Sequence, residues 1–331
     1  MQFSARVREI ALAGLVAAAT VLAPSRGAAQ DWPTRPLTLV VPFAAGGSSD
    51  AIARIVADGI GNFLHQTVVV ENVTGSGGMI GGSRVARAAP DGYQFVIGNV
   101  GTFAQSQWLY KKPPYDAVKD FAPVALLTDE SLVVVARKDL PADNLQQFIA
   151  YTRQNQAKLQ FASGGAGGSN HLACLLLNTA IGVNVTHVPY RSVVQGLQDV
   201  MAGRIDYDCV SLPLALPQIA AKSVKPIAIL SAHRSSILPN VPSADEQGLK
   251  GFDVPSWYAL FVPARTPPAV IQKLNRATVA ALDSPAMQQR LRNVGGDVMP
   301  LDRRTPAYLA QFLAAEIKKW EAPIKASGIS F

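Results

Sequence analysis

Two glycine-rich stretches carry the residue types in this chain that could do chemistry. The first is Phe43-Ala-Ala-Gly-Gly-Ser-Ser-Asp50 and the second is Ser163-Gly-Gly-Ala-Gly-Gly-Ser-Asn-His171. Each follows a short apolar run, at 37–41 and 159–162. Each precedes apolar residues at helical spacing, Ile52, Ile55, Val56 and Ile60 in one case and Leu172, Leu175 and Leu176 in the other. The first amides of a helix have no acceptor within it, and the helix dipole adds positive potential there. A carboxylate or phosphate is stabilised at such a spot. Gly46 and Gly47 let the backbone approach a ligand closely or take positive φ. One such turn is equally a plain strand–helix connection. The second shifts the balance, because Gly164, Gly165, Gly167 and Gly168 are costly in unfolded-state entropy and a plain loop does not need them. The two turns are expected to face each other across a cleft and hold one anionic ligand.

Catalysis is the competing use of these residues. Ser169 and His171 are close in sequence, and Asp50 and Asp208 sit at other strand ends, so a Ser-His-Asp arrangement is conceivable. No G-x-S-x-G elbow occurs. His171 reads as a packing or hydrogen-bonding group near a helix start, and His187 as a structural partner at a strand end. A non-enzymatic binding protein is expected, with a secreted hydrolase using Ser169 or Ser48 as the rival. The four histidines are dispersed and give no metal site. Glycines 75, 77 and 81 break the dinucleotide spacing, so no cofactor is expected.

The elements that must position these turns alternate. Strands are predicted at 37–41, 67–71, 95–98, 120–128, 132–137, 159–162, 184–188, 206–210, 225–230 and 257–262. Helices are predicted at 51–60, 83–89, 144–155, 169–181, 193–201, 214–221, 267–282, 285–293 and 305–326. This order argues an α/β fold with mainly parallel sheets flanked by helices. Ligands in such sheets lie beyond the carboxyl ends of strands. The loops 43–50, 99–103, 163–171, 189–192 and 208–211 all fall there, which adds Thr102, Tyr190 and Asp208 to the candidates.

The chain has 331 residues and a net charge of +7. That exceeds one typical core, so two domains are expected. The mild basicity is spread out, and nothing resembles a nucleic-acid patch with interleaved aromatics. Residues 1–9 carry Arg6 and Arg8, residues 10–23 are apolar, and Pro24-Ser-Arg-Gly-Ala-Ala29 follows. This is the order of a secretory signal cut near Ala29, and no later stretch is predicted to span a membrane. Cys174 and Cys209, the two cysteines, could pair in an oxidising compartment, but two buried free thiols are the expectation.

A set of motifs in fixed order resembles a known family. These are Trp32-Pro-x-Arg-Pro, Val40-Val-Pro-Phe-x-x-Gly-Gly-x-x-Asp50, Val69-Val-Glu-Asn72, Pro90-Asp-Gly-Tyr93, Pro114-Tyr-Asp-x-Val-Lys-Asp-Phe121, His187-Val-Pro-Tyr190 and Leu238-Pro-x-Val-Pro242. The chain is similar to the Bug-type solute-binding receptors of tripartite tricarboxylate transporters. The resemblance implies a two-lobed periplasmic binding protein of the Venus-flytrap, type II-like kind. Lobe 1 would be 31–130 with 255–331, and lobe 2 would be 131–254. It implies a small carboxylate-bearing solute, delivery to a membrane permease, and a monomer; a ligand-sensing subunit of a membrane kinase is the other role. Carried onto this chain, Phe43 would stack on the ligand. Gly47, Ser48, Ser163, Gly164, Gly167 and Ser169 would donate to its carboxylate, with His171 and Tyr190 beside them. Asp50 would hold the first loop and Asp208 would face the ligand's far end. Arg191-Ser192, Cys174-Leu175 and Val73 depart from the family's usual residues, which touches the distal pocket and not the two turns.

Overall fold

The apolar run Leu37–Val41 is strand β1, buried along almost its whole length. It turns through 42–47 into helix α1 (Ser48–Leu64), whose Ile52, Ile55, Val56 and Ile60 face inward as their spacing requires. The computed structural model describes residues 32–235, 237–254, 256–327 and 330. The export signal expected at 1–29 lies outside them. Residues 32–34 form neither helix nor strand, and 35–331 cluster as one compact unit.

Strand β2 (Val68–Asn72) runs parallel beside β1. After helix α2 (Met79–Ala86), strand β3 (Gln94–Asn99) pairs parallel with β1 on its other side. A π-helical segment, Val100–Gln105, leads into the short α3 (Ser106–Leu109). Strands β4 (Phe121–Glu130) and β5 (Leu132–Arg137) follow, separated by Ser131 alone. Helix α4 (Leu145–Asn155), strand β6 (Gln160–Ser163) and helix α5 (Ser169–Ala180) come next. Strand β7 (Thr186–Pro189), helix α6 (Val193–Met201), strand β8 (Tyr207–Ser211), helix α7 (Leu212–Ala220) and strand β9 (Val224–Ile229) continue the alternation. Strand β10 (Ser256–Pro263), helices α8 (Pro268–Asp283) and α9 (Pro285–Asn293), the two-residue β11 (Asp297–Val298) and helix α10 (Pro306–Ser327) complete the chain.

The strands form two sheets, in the orders β11-β4-β10-β3-β1-β2 and β7-β6-β8-β5-β9. Both are mixed rather than mainly parallel. Strand β10 is antiparallel to β3 and β4, and β5 is antiparallel to β8 and β9. The reason is the way the chain changes sheet. β4 leaves the first sheet at its carboxyl end and β5 enters the second directly. β10 re-enters the first sheet from the same side, so it must run against β4. The carboxyl ends of β1, β3, β6 and β8 therefore meet the ends of β4 and the starts of β5 and β10 in one region. Phe103, from the π-helical segment, stacks on Phe261 of β10 with ring centroids 4.0 Å apart, which anchors that segment to the first sheet.

Cys174 and Cys209 are not free thiols. They are joined as a disulfide with Cα atoms 5.4 Å apart, both wholly buried. Helix α5 lies along β8, and the inward face of one carries Cys174 opposite Cys209 on the other, a proximity that sequence spacing does not reveal. The bond closes a loop of sequence separation 35. Such a loop contributes about 4 kcal/mol in the chain-entropy account. Denatured, unreduced protein is therefore expected to show no reactive thiol. The double Cys→Ser variant should lose about 2–4 kcal/mol in chemical denaturation. Two titratable thiols in the exported protein would refute the pairing.

Candidate functional site

Helices α1 and α5 begin in the same way. Their N-cap residues, Gly47 and Gly168, hold extended backbone and have no side chain to cap the first-turn amides. The first turns, at Ser48 and Ser49 on one helix and Ser169 and Asn170 on the other, border one cavity of about 550 Å³. Two positive helix ends thus converge on one space. The volume lies within the range of small-molecule pockets.

The wall includes Phe43, Gly47, Ser48, Gly164, Ser169 and Tyr190 among the residues expected from sequence. The others stand behind it and hold it in place. Asp50 accepts hydrogen bonds from the Gly46 amide at 3.0 Å, from Arg54 Nε at 3.0 Å and from Asn72 Nδ2 at 2.9 Å. Burial opposes its charge, but Arg54, the Gly46 amide and Asn72 prevail and keep the carboxyl below its ordinary range. Asn72 also donates to Phe43 O, so the first turn is fixed from both ends. Thr102 is wholly buried and forms a capping box with Asn99, and it is Asn99 that reaches the wall.

Behind the second turn, Ser163 Oγ lies 2.6 Å from His187 Nε2 and accepts the Gly165 amide at 3.1 Å. The Gly167 amide donates to His171 Nδ1 at 3.1 Å. The His171 and His187 rings are 3.9 Å apart, with Phe161 stacked beside them. Burial lowers both histidines, to about 3 and about 4, so both are neutral and serve as uncharged hydrogen-bond partners. His171 Nδ1 is occupied by the turn. Asp208 is wholly buried and accepts from the Cys209 amide at 2.7 Å. Its carboxyl is pushed well above its ordinary value by burial. Asn170, not Asp208, reaches the wall, while Tyr190 lines it and donates its hydroxyl to Asp199 at 2.6 Å.

Sequence reasoning missed Glu130, Ser256 and Tyr258, and marked Ser211 only as part of the loop 208–211; all four line the cavity. They come from the ends of β4 and β8 and the start of β10, where the chain changes sheet. Ser48 Oγ and Ser211 Oγ are 2.6 Å apart, joining the start of α1 to the end of β8 across the cavity. The signal available was the carboxylate of Glu130 inside the apolar run 121–137. The loop 74–78 closes another side. Gly77 has φ +62°, and a Cβ there would lie 2.6 Å from Ala166 O, so a glycine is required for the loop to meet the second turn.

Known proteins resemble this chain over most of its length. The family described as "Tripartite tricarboxylate transporter family receptor" matches residues 52–329. Protein BugT of Bordetella pertussis is 32% identical, over 97% of this chain and 98% of its own. The structure of the periplasmic binding protein BugD superposes with a TM-score of 0.85 at 35% identity, covering 90% of this chain and 99% of that one. MatC of Rhodopseudomonas palustris, solved with bound malate, gives a TM-score of 0.85 at 38% identity, covering 88% and 100%.

The Asp50 network makes a testable stability claim. Removing the charge by Asp50→Asn is expected to cost about 1.5–3 kcal/mol at pH 7, the worth of hydrogen bonds to a charged group. The folded pKa is depressed, so this contribution is present above the unfolded value of about 3.9 and is lost as pH falls through the folded one. Urea denaturation of both proteins from pH 7 to pH 3 should show the gap closing below about pH 4. A gap that stays constant would mean that Asp50 acts by packing alone.

Proposed function

The chain belongs to the tripartite tricarboxylate transporter receptor family, and on that premise we propose that it captures a small carboxylate-bearing solute in this cavity. It is exported to the periplasm after cleavage near Ala29, acts as a monomer, and delivers the solute to the membrane permease of a tripartite system. The observation that carries this reading is the pair of glycine-capped helix starts, α1 and α5, that border one space. Their amides are the donors a carboxylate needs, and no metal is required. The malate held by MatC, a carboxylate at this level of similarity, agrees with it.

The lobes are proposed as 31–130 with 255–331, and 131–254. In support, the first sheet draws its strands from 37–130 and 256–298 and the second from 132–229. Entry of the solute then requires the two turns to separate, with opening at the two places where the chain changes sheet. A solute that bridges both turns favours the closed state by its differential contacts. Small-angle scattering should therefore show a smaller radius of gyration once a bound carboxylate saturates the ligand-stripped protein.

Mass spectrometry of solute released from the purified protein, followed by calorimetry with a carboxylate panel, identifies what is bound. Gly167 holds φ +81° with its amide on His171. Gly167→Val should displace the turn, because a β-branched residue resists that φ. Affinity for the preferred carboxylate should fall at least about 100-fold, equivalent to about 2.8 kcal/mol. A variant that binds like the wild type would remove the two-turn clasp from consideration.

A further inference from the structure

One group on the wall is not accounted for by a clasp of backbone amides. Glu130, at the last position of β4, is 3% exposed and lines the cavity. Its Oε2 accepts from the Tyr258 hydroxyl at 3.3 Å. Its Oε1 is buried with no hydrogen-bond partner among the described residues, and the same holds for Ser256 Oγ, directly across the β4–β10 pairing. A buried carboxyl oxygen left unpartnered beside a ligand cavity is costly unless something fills its hydrogen bond.

We propose that Glu130 is a specificity-determining residue, a neutral carboxylic acid that donates a hydrogen bond from Oε1 to an oxygen of the bound carboxylate solute. This rests on the carboxylate reading above. An ionised Glu130 would repel an anion seated at the start of α1, whereas the acid form supplies the donor that the anion needs. With Tyr258 donating to Oε2, the acid proton belongs on Oε1, the oxygen that has no other partner.

The surroundings favour that state. Asp129 adjoins Glu130 on β4, and Asp129 is itself influenced by Asp253 and Asp297. Tyr258 faces it from β10. Ser48 approaches from α1, where Asp50 is turned to Arg54 and Asn72. From the second sheet come Leu132 of β5 and Ser211 of β8, neither of them charged, with Asp208 of β8 protected by burial. No cation is paired with Glu130 among the described residues. Burial therefore pushes the carboxyl up to about 8 against the pull of the Ser48 and Tyr258 hydroxyls. A bound anion would push it further in the same direction.

Infrared difference spectra of the ligand-stripped wild type against Glu130→Gln test the protonation without any solute. A protonated-carboxyl C=O band at pH 7, absent in the variant and lost as pH rises through about 8, is expected. Its absence at pH 7 overturns the proposal. Calorimetry then uses malate, succinate, glutarate and adipate as probes. For whichever binds, wild-type affinity should fall at least about tenfold from pH 7 to pH 9.5, because the ionised acid must regain its proton, and Glu130→Gln should change little over that range. Glu130→Ala should weaken binding about tenfold to a hundredfold at pH 7, with melting curves confirming that it is folded. A wild-type affinity that rises with pH points to an ammonium-bearing solute paired with an ionised Glu130 and overturns the donor role. So does an equal fall in the Gln variant. Failure of every carboxylate in the wider panel sinks the receptor reading and this inference with it, whereas binding without the pH dependence sinks this inference alone.

Discussion

Two helices that start without a side-chain cap must leave their first amides to something else. At α1 and α5 the N-cap residues are Gly47 and Gly168, and both helix starts border the same cavity. Serine, threonine or aspartate at an N-cap satisfies those amides locally and is worth about 1 kcal/mol to a helix. Glycine there leaves the donors and the helix dipole to a bound group. Much of the architecture around the cavity serves to hold these two backbone turns in place.

The supports differ in charge. The first turn is tied by an ionised carboxylate, Asp50, which gathers Gly46, Arg54 and Asn72. The second is tied by neutral groups, with His171 on the Gly167 amide and the Ser163–His187 pair beneath Gly165. Burial keeps both imidazoles uncharged, so they fix the turn without adding a second cation or a titration near pH 7. The disulfide between Cys174 and Cys209 binds α5, which carries this turn, to β8, which carries Ser211.

Sheet topology sets the remaining wall. Because β4 passes straight into β5 and β10 returns beside β4, the interior of a strand crossing becomes part of the cavity. Glu130, Ser256 and Tyr258 reach the site by that route. The same crossing makes both sheets mixed, since a strand re-entering from the cavity side must oppose the strand that left there.

What the sequence determined by itself was local. Alternation of apolar runs and helical spacing placed nearly every strand and helix, and the glycine spacing singled out the two turns that border the cavity. Those signals are short-range: periodicity of 2 or 3.6 residues, and the residue types that a strand–helix junction tolerates. The π-helical segment after β3 and the two-residue β11 left no such signature. Tertiary structure decided what depends on separation in space. Residues 174 and 209 pair because α5 packs on β8. Ser163, Gly167, His171, Thr102, Asp50 and Asp208 lie behind the wall, while Asn99, Asn170 and Ser211 form part of it. Glu130 is a buried carboxyl on the cavity wall only because β4, β10 and the start of α1 converge there. In sequence it is the second of two adjacent carboxylates, Asp129 and Glu130, at the end of an apolar strand. Its proposed protonation rests on burial and on the absence of a paired cation among the described residues, and only the assembled fold determines those.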